Sequence, residues 1–180
     1  NMSTIIQILE EIGAFLSDDH FVYSSGKHGS IYINKNDLFA HTRACDDAGK
    51  LLAEKYQDAA IDTVAGPSMC GIIPAHWTAY HISRLKGKEV FGVFGERDSN
   101  KNFVFQRGYD KFIMGKNVLL VDDITTSGAT IKKFAQTIKA CGGNLSATVL
   151  VNRNPQGVNS DTLGVPFDAL ALKGCPGSSA

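Results

Sequence analysis

Apolar residues near the start of the chain recur at the spacing of an α-helix. They fall at i, i+3, i+4 and i+7, at Ile5, Ile8, Leu9 and Ile12. Thr4 and Gln7 form a capping-box pattern in front of them, so we predict an amphipathic helix that ends at Gly13. The same spacing predicts a second helix at about 43–56 and a third at about 72–85.

Short runs that are apolar on both faces alternate with these helices. They lie at 62–65, 90–94, 118–121 and 147–151. Such runs are typical of parallel strands that helices cover on both sides. The stretch 118–151 passes from strand through loop and helix to a further strand, which is the order of a βαβ crossover. We therefore predict an α/β fold with a mostly parallel central sheet flanked by helices.

The length of the chain predicts one domain. The chain has 180 residues, and domains average roughly 150 residues, so a single domain over 2–180 with a small N-terminal cap at about 2–40 is expected. Residues 97–112 are polar, lack a clear period and connect two predicted strands. We predict a flexible lid there, with a hairpin as the other interpretation.

Charge and composition narrow the possible partners. Eighteen Lys and Arg residues balance eighteen Asp and Glu residues, so the positive field that draws proteins to nucleic acid or anionic lipid is absent. No apolar run approaches the ~20 residues that span a bilayer, and the start of the chain lacks the pattern of a secretion signal. The four cysteines are scattered without metal-ligand spacing. We expect a cytoplasmic protein with reduced thiols that binds neither nucleic acid nor membrane.

A run of acidic, hydroxyl-bearing and small residues follows the predicted strand at 118–121, where ligands bind in open α/β sheets. It consists of Asp122, Asp123, Ile124, Thr125, Thr126, Ser127, Gly128, Ala129 and Thr130. Small residues let backbone N–H groups turn toward an anion, and the next helix adds its positive N-terminal end, which suits a phosphate monoester. The two carboxylates only accept hydrogen bonds, which suits sugar hydroxyls or waters on magnesium. The run therefore predicts a ribose 5-phosphate site.

An acidic pair followed by Thr-Thr-Ser-Gly behind an apolar strand resembles the phosphoribosyl pyrophosphate (PRPP) signature of the type I phosphoribosyltransferases. Three further segments are similar to the orotate phosphoribosyltransferases within that family, and they occur in the same order. The first is 20–28, which contains Ser25-Gly26-Lys27, followed by the motif 32–35. The others are the loop 66–71 and Val151-Asn152-Arg153. The resemblance covers most of the chain and implies the type I phosphoribosyltransferase fold, usually as a homodimer.

The resemblance also implies a reaction. It is the transfer of 5-phosphoribosyl from PRPP to orotate, which gives orotidine 5′-phosphate and pyrophosphate in pyrimidine (UMP) synthesis. The implied cofactor is Mg²⁺, held by the substrate without direct protein ligands and touching Asp122 and Asp123 only through waters.

The resemblance also implies roles for particular residues. Asp122, Asp123 and Lys101 are the implied catalytic residues. PRPP binding is implied for 122–130 and, outside that run, for Arg97, Lys101, Met69 and Cys70. Orotate binding is implied for Thr126, Arg153, Tyr32 and Ile33, with the guanidinium of Arg153 gripping the carboxylate.

The chain departs from many orotate enzymes at three places. The segment that matches their mobile loop has no histidine, so Arg97, Lys101 and Arg107 all remain candidates for its cation. Ser24 and Cys70 stand where those enzymes have lysines. Two alternatives therefore stay open: a phosphoribosyltransferase for another base, purine or uracil, and a non-catalytic regulator of the same fold that senses PRPP.

Overall fold

A computed structural model describes residues 2–16, 21–22, 28–29 and 32–172, and within these ranges it contains ten strands and six α-helices. The strands are β1 (Phe15–Leu16), β2 (Phe21–Val22), β3 (His28–Gly29), β4 (Tyr32–Ile33), β5 (Thr63–Pro67), β6 (Phe91–Arg97), β7 (Phe103–Val104), β8 (Asn117–Thr125), β9 (Asn144–Asn152) and β10 (Phe167–Leu172). The helices are α1 (Ile5–Glu11), α2 (Lys35–Ala40), α3 (Thr42–Lys55), α4 (Ile72–Lys86), α5 (Ala129–Ala140) and α6 (Ser160–Leu163), and a 3-10 helix covers Tyr109–Phe112.

The central sheet has six strands in the order β10-β9-β8-β5-β6-β7. Neighbouring strands run parallel except at one edge, where β7 pairs antiparallel with β6. This confirms the predicted, mostly parallel sheet. Because β5 pairs with both β6 and β8, the carboxyl ends of these three strands lie side by side. Near the N terminus, β1 pairs with β4 and β2 pairs with β3 in separate two-stranded ribbons.

Both faces of the sheet are apolar, and each is covered by its own helices. On β8, Leu119 and Val121 belong to the hydrophobic cluster that includes α1, α3 and α4, whereas Val118 and Leu120 belong to the cluster that includes α5. Successive residues of a strand point to opposite faces, so an uninterrupted apolar run is what this doubly covered strand requires. Among the described residues, no helix is long and apolar enough to cross a bilayer.

The predicted elements are confirmed with small shifts in their bounds. At the front of α1, Thr4 Oγ1 accepts a hydrogen bond from the Gln7 N–H at 3.3 Å, and Gln7 Oε1 accepts one from the Thr4 N–H at 2.8 Å. The helix ends at Glu11, and Gly13 follows with a φ of +72°. Three strand predictions were clearly too short. β6 extends to Arg97, and β9 extends from Asn144 to Asn152. β8 continues through the acidic pair to Thr125, because its backbone keeps pairing with β9 beyond the apolar residues.

Residues 97–112 contain a hairpin followed by the 3-10 helix. The Asp98 N–H donates to the Asn102 carbonyl at 2.9 Å. Oδ1 of Asp98 accepts from the N–H groups of Asn100 and Asn102 at 2.8 and 2.9 Å, which organises the turn between β6 and β7. The hairpin interpretation matches this geometry, and the mobility of the segment as a lid stays a prediction.

Gly95 on β6 lies where the sheet approaches α5 too closely for a side chain, since a Cβ there would overlap the fully buried ring of Phe134. We expect Gly95→Ala to lower the free energy of unfolding by about 1–3 kcal/mol, the usual cost of overpacking. The measurement is chemical denaturation followed by circular dichroism.

The matched control lies on the same strand. A Cβ at Gly92 would lie 3.2 Å from Cε1 of His76, whose exposed side chain has room to move. Gly92→Ala should therefore change the free energy of unfolding by less than about 0.5 kcal/mol. Equal losses in the two variants would contradict the close packing of Phe134 against Gly95.

Candidate active site

A cavity of about 230 Å³ opens at the carboxyl ends of β5, β6 and β8. It is lined by 122–130 from β8 and its following loop, by 67–70 after β5, by Arg97 from β6 and by Lys35 from α2. Two larger cavities, of about 590 and 560 Å³, lie along α4 and contain no predicted site residue. The smaller cavity is therefore the candidate site, because it gathers most of the residues predicted to bind PRPP.

The acidic pair forms the floor of this cavity, and both residues are buried, with exposures of 6% and 2%. Asp122 Oδ1 accepts a hydrogen bond from the Asp123 N–H at 2.9 Å, and Asp123 Oδ1 accepts one from the Ile124 N–H at 2.6 Å. Asp123 Oδ2 is buried and accepts no hydrogen bond from the described residues, although Lys35 Nζ makes an ion pair with it at 3.3 Å. The ammonium is near this oxygen but makes no aligned hydrogen bond with it. A buried acceptor that is only partly satisfied is costly, so this oxygen is suited to a hydroxyl or a water supplied by a ligand.

Burial of the pair changes its protonation. Desolvation, followed by the neighbouring charge of Asp123, raises the pKa of Asp122 from 3.8 to about 7, while the ammonium of Lys35 acts in the opposite direction. Burial is the largest single influence on Lys35 and lowers its pKa, but the charges of Asp123, Cys70 and Asp122, together with a side-chain interaction with Asp123, outweigh it, so the pKa of Lys35 is raised. At neutral pH the site therefore holds a charged Lys35, and the carboxyl of Asp122 is close to taking up a proton.

The loop between β8 and α5 presents backbone donors to the cavity. Gly128 has a φ of +74°, and its N–H donates to Thr125 Oγ1 at 3.1 Å, which closes the turn. In this fully described loop the N–H groups of Thr126, Ser127 and Thr130 donate no hydrogen bond. Free donors at the N-terminus of a helix bind phosphate groups. The geometry fits the phosphate site that the sequence predicts.

The loop 66–71 after β5 forms the opposite wall. It is tight, because a Cβ at Gly66 would overlap the carbonyl of Gly71. The N–H groups of Met69 and Cys70 donate no hydrogen bond to any described residue. Two free donors beside the acidic pair favour an anion site over a plain connection between strand and helix.

The three candidate cations of the 97–112 segment take different positions. Arg97 lines the cavity, and its Nη1 donates to the carbonyl of Lys101 at 3.0 Å. Lys101 itself is exposed on the hairpin turn and does not line the cavity. Arg107 makes a two-point ion pair with Glu96, with both N···O distances at 3.0 Å. Of the three, only Arg97 lies at the site, and the roles predicted for Lys101 stay predictions.

Of the residues predicted to bind orotate, Thr126 lines the cavity, whereas Arg153, Tyr32 and Ile33 do not. The Arg153 N–H donates to the carbonyl of Thr125 at 2.9 Å, which places its backbone beside the phosphate loop that carries Thr126. Tyr32 is 40% exposed, whereas Ile33 is 8% exposed and packs in the hydrophobic core. The main chain of Ile33 is thus the part of that residue that can meet a ligand.

Lys35 is the site residue that the sequence-based assignment missed. It belongs to the motif 32–35 that resembles the orotate enzymes, but no role followed from its position in the sequence. The absence of a basic residue from the loop 66–71 was the available signal that a cation must come from elsewhere. The neighbouring motif residues 24–27 lie outside the described part of the chain.

Comparisons with known proteins agree with this geometry. Residues 34–165 match the family model described as a phosphoribosyl transferase domain. The orotate phosphoribosyltransferase of Caulobacter vibrioides is 34% identical over 169 residues, which cover 91% of this chain and 81% of that protein. The orotate phosphoribosyltransferase of Thermotoga maritima is 33% identical over 168 residues, with coverage of 92% and 83%.

Solved structures show the same fold. The orotate phosphoribosyltransferase of Mycobacterium tuberculosis has a TM-score of 0.73 at 16% identity, over 93% of this chain and 95% of that chain. The adenine phosphoribosyltransferase of Thermoanaerobacter pseudethanolicus has a TM-score of 0.66 at 20% identity, with coverage of 91% and 99%. Since enzymes for different bases both superimpose, the fold by itself does not select the base.

The raised pKa of Asp122 predicts a stability effect with a definite sign. The unfolded chain releases this proton near pH 4 and the folded protein near pH 7, so the group makes the protein less stable as pH rises through that window. Asp122→Asn should therefore melt at a higher temperature than the parent protein at pH 8, by roughly 2–4 °C for each kcal/mol gained. The difference should shrink toward zero as pH falls to about 4.

The control for this comparison is Asp58→Asn, at an exposed aspartate outside the cavity. Its melting temperature should follow that of the parent protein across the same pH range, measured by scanning calorimetry without substrates. A gap between Asp122→Asn and the parent that does not vary with pH would show that burial has not shifted this carboxyl.

Proposed function

The chain belongs to the orotate phosphoribosyltransferases of the phosphoribosyl transferase family, and from this premise we propose how its residues transfer 5-phosphoribosyl from PRPP to orotate. The products are orotidine 5′-phosphate and pyrophosphate, a step of pyrimidine synthesis. One observation carries the assignment of residues. The buried carboxylates of Asp122 and Asp123 are followed at once by a loop of free N–H donors, in a cavity that the carboxyl ends of three strands form.

The two halves of PRPP occupy opposite walls of the cavity. The 5-phosphate binds the free N–H groups of the loop 126–130 at the start of α5. The ribose hydroxyls donate to Asp122 and Asp123, which satisfies the buried Oδ2 of Asp123. The pyrophosphate lies toward the N–H groups of the loop 66–71, with Arg97 at the edge of the cavity.

The reaction breaks the anomeric C–O bond, so positive charge develops on the sugar and negative charge on the departing pyrophosphate, comparable to glycoside cleavage. The carboxylates of Asp122 and Asp123 stabilise the developing charge on the ribose from below. The hairpin at 97–112 limits access of water, which would otherwise capture the sugar. No protein nucleophile is needed, because orotate itself attacks the sugar.

The residues at this site fit Mg²⁺. Magnesium binds oxygen ligands and keeps several waters, and the buried Oδ2 of Asp123 can accept a hydrogen bond from such a water. Among the described residues, no group of three or more His, Cys, Asp and Glu side chains could hold a metal ion. We place the ion on substrate oxygens, with Asp122 and Asp123 contacting its waters. Bound there, Mg²⁺ supplies positive charge that neutralises the leaving pyrophosphate.

The base binds beside the loop after β9. The guanidinium of Arg153 pairs with the orotate carboxylate, since a planar fork and a carboxylate match in a bidentate pair. Thr126 and the 32–33 ribbon border the same space. The adjacency of Arg153 and Thr125 in the backbone supports this placement, because it sets the base next to the ribose phosphate.

We also propose a homodimer in the cytoplasm. The exposed position of Lys101, outside the cavity of its own subunit, supports an arrangement in which the hairpin of one subunit reaches toward the site of its partner. Cys45, Cys70 and Cys141 are free thiols, which suits a reducing compartment.

A panel of bases tests the proposed reaction. Pyrophosphate release from PRPP is measured with orotate, uracil, hypoxanthine or adenine, each with Mg²⁺ and with EDTA. Of the eight combinations, we expect pyrophosphate release only when orotate and Mg²⁺ are both present. Among the four bases, only orotate carries the carboxylate that Arg153 recognises. Release with uracil or a purine instead would establish a different base, and no release with any base would favour the PRPP-sensing regulator.

Arg153→Ala tests the base site separately. Loss of a charge-assisted pair, worth about 1.5–3 kcal/mol, should raise KM for orotate ~10-fold or more and leave KM for PRPP within about twofold. Arg43→Ala, at an exposed arginine outside the cavity, is the control and should leave both constants unchanged. If both KM values rise equally in Arg153→Ala, Arg153 does not select the base.

A further inference from the structure

The cavity that receives PRPP is poorly supplied with positive charge. Two buried carboxylates form its floor, and the loop 66–71 contains no basic residue. Among the residues that the structure describes, Lys35 and Arg97 are the basic side chains that line it. A pyrophosphate brought into this space adds several negative charges near Asp122 and Asp123, so the position of each cation matters.

Lys35 is placed to meet that charge. It opens α2, its Nζ lies 3.3 Å from Asp123 Oδ2, and it lines the same cavity as Cys70 of the loop 66–71. Burial raises the pKa of the Cys70 thiol, and the charge of Lys35 acts in the opposite direction. The lysine therefore stands between the acidic floor and the loop whose free N–H groups form the opposite wall. Arg97, by contrast, lies at the hairpin, where its Nη1 is engaged by the carbonyl of Lys101.

A purely structural role explains this lysine poorly. Its side chain is 43% exposed, although its partner Asp123 is only 3% exposed, so the pair compensates a buried carboxylate and still leaves much of the ammonium open to the cavity. The pair also leaves Asp123 Oδ2 without a hydrogen bond. The ammonium sits on a flexible four-carbon stem, so it can turn from Asp123 to a ligand once ribose hydroxyls or metal-bound waters satisfy the carboxylate.

We propose that Lys35 binds the pyrophosphate group of PRPP, supplying from α2 the cation that the loop 66–71 lacks. This inference rests on the proposed function and adds to it a substrate-binding residue from the N-terminal part of the chain. In the absence of substrate, Lys35 neutralises Asp123. With substrate present, its ammonium contacts pyrophosphate oxygens beside the N–H groups of Met69 and Cys70, and it stabilises the charge that grows there as the C–O bond breaks.

The test combines steady-state kinetics with calorimetric binding of pyrophosphate and Mg²⁺. In Lys35→Met we expect the Kd for pyrophosphate and the KM for PRPP to rise ~10-fold or more, as for other charge-assisted contacts to phosphate. KM for orotate should stay within about twofold. Lys35→Arg keeps the charge and should recover most of the loss.

Lys50 provides the matched control. Its side chain is 41% exposed and pairs with Asp46 at 2.6 Å, but it lies on α3 outside the cavity. Lys50→Met should leave pyrophosphate binding and both KM values unchanged. The double variant Lys35→Met/Cys70→Lys moves the cation onto the loop and should restore pyrophosphate binding.

The outcomes separate the two proposals. Unchanged pyrophosphate binding in Lys35→Met, with an active parent protein, overturns the role of Lys35 and leaves the proposed function intact. A parent protein that binds pyrophosphate but transfers to no base overturns the proposed function, and the binding series still decides the role of Lys35. A third outcome also overturns the role of Lys35 in binding. In it, Lys35→Met binds pyrophosphate weakly and melts at a lower temperature than the parent protein, and neither Lys35→Arg nor the double variant restores binding. Lys35 would then have a structural role.

Discussion

Two adjacent carboxyl groups buried at the end of β8 are the constraint on which the site depends. Their burial is unfavourable for folding, since desolvation and mutual repulsion both act against the ionised pair. The protein offers partial compensation: one N–H to each Oδ1 and one ammonium to Asp123. The apolar clusters on both faces of the sheet hold β8 in place against this cost. The substrate can supply the hydrogen bonds that the folded protein does not give to these carboxyl oxygens.

Each of the other elements around the cavity contributes one kind of binding group. Strand ends provide the carboxylates, the loops after β5 and β8 provide free backbone donors, and side chains from α2 and β6 provide cations. This explains how a chain with no net charge can hold a polyanion. Binding comes from local donors at short range, where low dielectric strengthens each contact, and not from a long-range field.

Sequence patterns predicted what local periodicity and chemistry determine. The apolar stripe of α5, the buried run of β8 and the small residues at 125–130 each carry their own signal. The sequence did not predict the carboxyl end of β8 correctly. The polar residues Asp122 and Asp123 indicate the end of a strand, but backbone pairing with β9 continues past them because it does not depend on side-chain polarity. Lys35 was missed because its role comes from the packing of α2 near the loop 66–71, which no local pattern describes.

The hairpin formed by β6 and β7, whose Arg97 lines the cavity, is anchored to the core by Phe103. Phe103 is 4% exposed, its ring lies 5.0 Å from that of Phe134, and its carbonyl accepts a hydrogen bond from Thr137 Oγ1 at 3.1 Å. Only the turn at 98–102 is left to move while Phe103 stays in the core. Ordering the backbone of a loop costs about 1–2 kcal/mol per residue, so closure of the predicted lid through this five-residue turn would lose much less conformational entropy than ordering a free segment as long as 97–112. The anchor at Phe103 would thus lower the entropy cost of lid closure and also limit the distance over which the turn can move.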